Sequence, residues 1–111
     1  MTMRAAIGAV AAMVIVCVLG LTAVQRPKPR THTVTMENMQ FQPATLTVTR
    51  GDTVVWVNKD LVPHTATSRA GLFDSQIIQA DKSWRFTVRT QGEFAYVCTF
   101  HPTMSAMLRV K

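Results

Sequence analysis

The stretch "EFAYVCTFHPTM", Glu93 to Met104, joins two incompatible patterns at a single residue. Up to Cys98 it has the period of a strand: Phe94, Tyr96 and Cys98 alternate along one face. Beyond that point a thiol, an imidazole and a thioether fall at Cys98, His101 and Met104, three residues apart each time. On a regular strand a spacing of three changes face at every step, so these groups cannot share a side. They converge only if the segment closes as a loop, and Pro102 restrains the backbone immediately after His101.

The period of two continues outward from this stretch. "THTVTM" sets Val34 and Met36 on one face and "TLTVT" sets Leu46 and Val48 on one face. "DTVVWVN" is a near-continuous apolar run after a Gly51-Asp52 turn, and "SWRFTVR" alternates Trp84, Phe86 and Val88 with polar neighbours. Gln91-Gly92 supplies the turn before "EFAYVC", and "MLRVK" reads as a last strand. From residue 31 onward no amphipathic helix and no internal repeat is found. Six or seven short strands with turn signals between them predict an all-β domain, a Greek-key β-sandwich.

The amino terminus is of another kind. From Ala5 to Val24 the chain carries no charge for twenty residues, the length of a helix that spans a bilayer and longer than the usual apolar core of a cleaved signal. The expected organisation is therefore an N-terminal hydrophobic helix over residues 1–24, acting as membrane anchor or signal segment, a Pro/basic linker over 25–31 and a domain over 32–111. Cleavage after Ala23 would set the bulky Leu21 at the position that favours a small residue. Cys17 follows Val16 rather than a small residue and reads as apolar filler, which leaves the domain one thiol and no disulfide.

Charge narrows the function classes. The chain is +6 overall, but Arg4, Arg26, Lys28 and Arg30 supply four of its twelve cations, so residues 32–111 hold eight cations against six acids, about +2. That is too mild for a nucleic-acid footprint, and no basic and aromatic residues interleave along a strand. The linker cations suit anionic headgroups. By the positive-inside tendency those same cations would hold the domain in the cytoplasm. A lone thiol that needs a metal bond argues instead for the extracytoplasmic side, the periplasm, with the domain anchored to the inner membrane or released if the segment is cleaved.

His64, in "NKDLVPHTATS", follows the apolar run across a Pro-containing turn. If its loop and the Cys98–Met104 loop gather at one end of a sandwich, two imidazoles, a thiolate and a thioether meet. That set suits a soft or borderline ion, and it matches a His₂Cys site with a weak axial Met. Zinc would accept the three strong ligands but gain little from the thioether. Met107 competes for the axial place, yet it falls in the apolar period of the last strand. A thiol hydrolase using Cys98 with either imidazole would need an oxyanion hole and a cleft, for which a sandwich of this size has little room.

"CTFHPTM", preceded by "VVWVNKDLVPHTATS", resembles the small blue copper proteins, the cupredoxins, and most nearly the amicyanin-like and plastocyanin-like members with a C-x-x-H-x-x-M loop. The resemblance extends through "FQPATLTVTRGDTVVWVN" and "LFDSQIIQADKSWRFTVRTQGEFAYVC", nearly all of residues 32 to 111. It implies one type 1 copper ion held by His64, Cys98, His101 and Met104, with Asn58 bracing the ligand loops near Thr99. It also implies an apolar ring around an exposed edge of His101, for which Leu61, Val62, Pro63, Phe100 and Pro102 are the nominees. Two positions depart from the family pattern. Thr103 stands where a bulky aromatic is usual before the axial Met, and Ala106 stands where a glycine is usual.

The function so implied is single-electron transfer between a donor and an acceptor redox protein, by a monomer that is not an enzyme. The alternative is a copper store or chaperone with the same ligands. Three histidines, one of them His32 beside the linker, are too few for a trinuclear copper centre.

Overall fold

The structure is a computed structural model that describes residues 2–3, 5, 8–20 and 27–111. Its strands are β1 (Thr31–Glu37), β2 (Gln40–Gln42), β3 (Thr45–Val48), β4 (Thr53–Asn58), β5 (Thr67–Ser68), β6 (Ser83–Thr87), β7 (Gly92–Cys98) and β8 (His101–Val110). They form two four-stranded sheets, β2-β1-β4-β6 and β3-β8-β7-β5. The expected all-β sandwich is therefore what the chain adopts. Two strands escape a reading by period because they are only three and two residues long, β2 and β5.

The alternation explains the layers. β4 buries Val54, Trp56 and Asn58 on one face and leaves the other half-buried, while β7 turns Tyr96 and Cys98 inward from the opposite sheet. Between the sheets Trp56 meets Tyr96 edge-on with centroids 5.7 Å apart, and Phe41 meets Tyr96 at 4.7 Å. Large rings packed this way contribute roughly 0.5–1.5 kcal/mol per pair beyond the area they bury. Burial raises the Tyr96 phenol to about 12.

β1 and β4 run parallel, Thr31 beside Thr53 and Met36 beside Asn58, so both arrive together at the end of the sandwich where β7 delivers Cys98. The opposite end is closed by Asp52, a buried carboxylate in the β3–β4 turn. It accepts hydrogen bonds from the Arg30 N–H at 2.9 Å, the Thr49 N–H at 3.0 Å and the His32 ring at 2.9 Å. This clasp joins the end of the linker to the domain.

The N-terminal helix expected over the apolar run is not found among the described residues. Residues 8–20 carry no helix, and short turns such as the Cys17 N–H to Ile15 C=O bond, 3.0 Å, take its place. Val10, Met13 and Leu19 are exposed, and among the described residues no helix is long and apolar enough to cross a membrane. An apolar segment with no surface to pack on lacks the tertiary contacts that stabilise most helices. The rest of that expectation, residues 21–24, and linker residues 25–26 lie outside the described residues.

Desolvation raises the Asp52 carboxyl, but the bonds from Arg30, His32 and Thr49 outweigh it and bring its pKa from 3.8 to about 2. A lowered carboxylate pKa contributes stability that is present above pH 4 or so and disappears as pH falls toward 2. Urea denaturation at pH 5 and pH 2 is expected to show the native chain losing on the order of 2 kcal/mol more than Asp52→Asn across that interval; equal losses would remove the clasp from the account.

Candidate metal centre

The sequence "CTFHPTM" folds not as an open loop but as a tight hairpin with a bulge. Cys98 ends β7, Thr99 and Phe100 turn the chain, and His101 begins β8 directly opposite Cys98. One step back along β7, Val97 pairs with Ser105. Residues 102–104 are taken up between those two pairs, and this bulge is the irregularity that a spacing of three requires. It returns Met104 to the interior, where it is 3 % exposed.

His64 reaches the same place from the other sheet, in the connection after β4, where it forms a bridge with Ile78. Cys98 Sγ lies 3.6 Å from His64 Nδ1 and 3.7 Å from His101 Nδ1, and the three donor atoms all fall within 4.8 Å of one another. The imidazoles meet edge to face with centroids 5.3 Å apart. A metal–nitrogen bond of about 2.0–2.1 Å and a metal–sulfur bond of about 2.3 Å meeting near the tetrahedral or trigonal angle put their donors roughly 3.5–3.8 Å apart. The sulfur-to-nitrogen spacings fit a single shared ion. Cys98 and His64 are fully buried, and His101 is half-buried.

A carboxylate absent from the sequence-based set fixes the His64 ring. Asp60 Oδ2 lies 2.7 Å from His64 Nε2. An ionised carboxylate only accepts, so Nε2 carries the proton and Nδ1 turns a bare lone pair toward Cys98. Asp60 is itself held by the N–H groups of Asn38 at 2.8 Å and Met39 at 3.0 Å. Both residues occupy the left-handed region, φ 54° and 58°, in the β1–β2 turn. Burial raises the Asp60 pKa, but the bonds from His64, Met39 and Asn38 outweigh it and hold it below the ordinary value. The sequence held one clue, a carboxylate four residues before a histidine, with nothing to say that the two would face each other.

Asn58 is fully buried at the end of β4, but its side chain does not go to Thr99. Its Nδ2 donates to the carbonyls of Val62 and Ile78, each at 2.9 Å, and its Oδ1 accepts from the Asp60 N–H at 2.9 Å. The tie between the two loops is made by Thr65, whose Oγ1 accepts from the Thr99 N–H at 2.9 Å. The Thr65 N–H also points at Cys98 Sγ, 3.4 Å away. Leu61, Val62, Pro63, Phe100 and Pro102 are all exposed, Leu61 at 95 %. Ile77, beside the His64 bridge, is also exposed and was not among the nominees.

Comparison with known proteins is consistent with this geometry. A family model described as a cupredoxin-like domain matches residues 9–110. The chain is 29 % identical over 81 residues to the amicyanin of Paracoccus versutus, a match covering 68 % of this chain and 61 % of that protein's length. It is 24 % identical over 112 residues to amicyanin-alpha of Methylorubrum extorquens, covering 96 % and 94 % of the two chains. Among solved structures, a methionine-to-alanine variant of amicyanin in its Cu(I) form superposes with a TM-score of 0.69 at 26 % identity, covering 73 % of this chain and 82 % of that one.

Removing the Asp60 carboxylate leaves the buried Nε2–H of His64 without its acceptor. Asp60→Ala is expected to lose about 1–3 kcal/mol of stability, and nitrogen NMR of His64 is expected to change from a single Nε2–H tautomer to a mixture. An unchanged ring spectrum would mean that Asp60 does not set the tautomer.

Proposed function

The chain belongs to the cupredoxin-like domain family, and we propose that it is a type 1 copper protein that carries single electrons between redox proteins. The observation that carries this reading is the convergence of His64 Nδ1, Cys98 Sγ and His101 Nδ1 in a buried cluster. Met104, buried in the hairpin bulge that follows His101, is the proposed axial ligand. Two imidazoles, one thiolate and a thioether form the donor set that suits an ion alternating between Cu(I) and Cu(II).

Bound copper supplies one exchangeable electron; the chain's own residues supply a fixed surrounding. His64 is held by Asp60, the thiolate by the Thr65 N–H, and the two loops by the Thr65–Thr99 bond. Neither oxidation state then requires the ligands to move far, which is what rapid electron transfer needs. No substrate bond is made or broken, so the protein acts as an electron carrier rather than an enzyme. A store or chaperone would have to release its ion readily, and fully buried His64 and Cys98 argue against that.

His101 is the ligand nearest solvent, and exposed Leu61, Val62, Pro63, Phe100 and Pro102 form the proposed docking ring for donor and acceptor proteins. On this reading the domain works outside the cytoplasm, in the periplasm. Residues 5–24 serve as its leader or, uncleaved, as an inner-membrane anchor.

The test is a visible spectrum of the purified chain after Cu(II) addition, beside Cys98→Ser. An intense blue thiolate-to-copper band, bleached by ascorbate and missing from the variant, is expected. A folded chain without that band would refute the type 1 assignment and leave zinc binding or thiol chemistry.

A further inference from the structure

Below the β1–β2 turn lies a cavity of about 300 Å³ between the two sheets' edges, lined by Met39, Gln40, Phe41, Thr103, Met104 and Ser105 among others. No charged side chain lines it, and its only soft donors are two thioethers. They sit at different depths. Met39 is 40 % exposed at the rim, and Met104 is 3 % exposed at the floor.

The rim is built rather than loose. Met39 has φ 58°, a backbone conformation uncommon for a residue with a long side chain. It is held there by the bond from its N–H to Asp60, the same carboxylate that orients His64. Thr103, exposed in the bulge, is short and leaves the mouth open. One carboxylate therefore holds both the Met39 backbone and the His64 ring.

We infer that the Met39–Met104 cavity is a transient binding site for monovalent copper, through which Cu(I) reaches the four-ligand centre. This rests on the copper reading above and adds the route inward. Neutral thioethers favour soft Cu(I) over Cu(II) or Zn(II). Two of them without an anionic partner hold it weakly enough to let it go. Methionine's three rotatable bonds let each sulfur follow the ion. Cu(I), brought as a weak complex with chloride or a small thiol, exchanges that ligand for Met39, then for Met104, and settles against Cys98 and the imidazoles. No electron moves. The thiol proton of Cys98 leaves to solvent as the sulfur–metal bond forms.

The route over His101 differs in kind, because its approach is ringed by apolar and imidazole groups and offers no thioether at the surface. The two routes predict different responses to oxidation state. Metal-free chain is mixed anaerobically with Cu(I) chloride, samples are oxidised at intervals, and the blue band counts the loaded fraction; a parallel series uses Cu(II). Met39→Leu preserves volume and removes only the sulfur, and Thr103→Phe closes the mouth. Met39→Leu is expected to slow Cu(I) loading at least fivefold while leaving Cu(II) loading and the final absorbance unchanged, and Thr103→Phe is expected to slow Cu(I) loading as well. Equal Cu(I) rates in native chain and Met39→Leu overturn the proposal, as does an equal slowing of both ions, which would mark a structural effect. A native chain that takes up copper without any blue band refutes the underlying copper reading instead, and the two failures are thereby distinguishable.

Discussion

The metal-binding end of this protein depends on one pairing, Cys98 against His101 across a two-residue turn. A strand cannot present residues three apart on one side. The hairpin solves this by making them cross-strand neighbours, and the bulge at residues 102–104 then restores the register for Ser105. The irregularity satisfies two demands at once. It brings a thiol and an imidazole within 3.7 Å, and it turns Met104 inward without disturbing the pairing of Met107 and Leu108 with Ala95 and Phe94.

Around that pairing the supporting contacts come from three separate stretches of chain. β1 and β2 meet in a left-handed turn whose N–H groups grip Asp60, Asp60 grips His64, and Asn58 grips the carbonyls of Val62 and Ile78. Thr65 then joins this assembly to the residue after Cys98. Each member has a backbone partner or a buried neighbour, so His64 is placed by a closed set of bonds rather than by one contact. Outer partners of this kind set the tautomer and basicity of a ligating imidazole. In the proposed copper site they would hold the ligands in one geometry in either oxidation state.

The two ends of the sandwich are built differently. At the Asp52 end a single carboxylate gathers the linker, the β3–β4 turn and His32 through its own hydrogen bonds. At the other end the acceptors are arranged so that sulfur and nitrogen lone pairs remain directed at a common point. One end is satisfied internally, and the other keeps unspent donor capacity. That asymmetry is the structural mark of a functional end in a chain whose core is otherwise aromatic and closed.

The class of fold is legible in the residues alone, because alternation in "THTVTM", "SWRFTVR" and "EFAYVC" is a local property that survives without knowledge of neighbours. So is the chemistry of the donor set, since a thiol, two imidazoles and a thioether are readable as residue types. Tertiary structure alone decided which groups face each other. Asp60 and Thr65 look like ordinary loop residues in sequence, and Asn58 was expected at Thr99 but bonds elsewhere, because hydrogen bonds between distant segments depend on sheet register and turn geometry. The short strands β2 and β5 were invisible for a related reason: two or three residues contain no period. The apolar run over residues 5–24 marks the reverse limit. Its composition is unmistakable in sequence, but a helix needs a surface or a bilayer to pack against, and the described residues 8–20 are exposed.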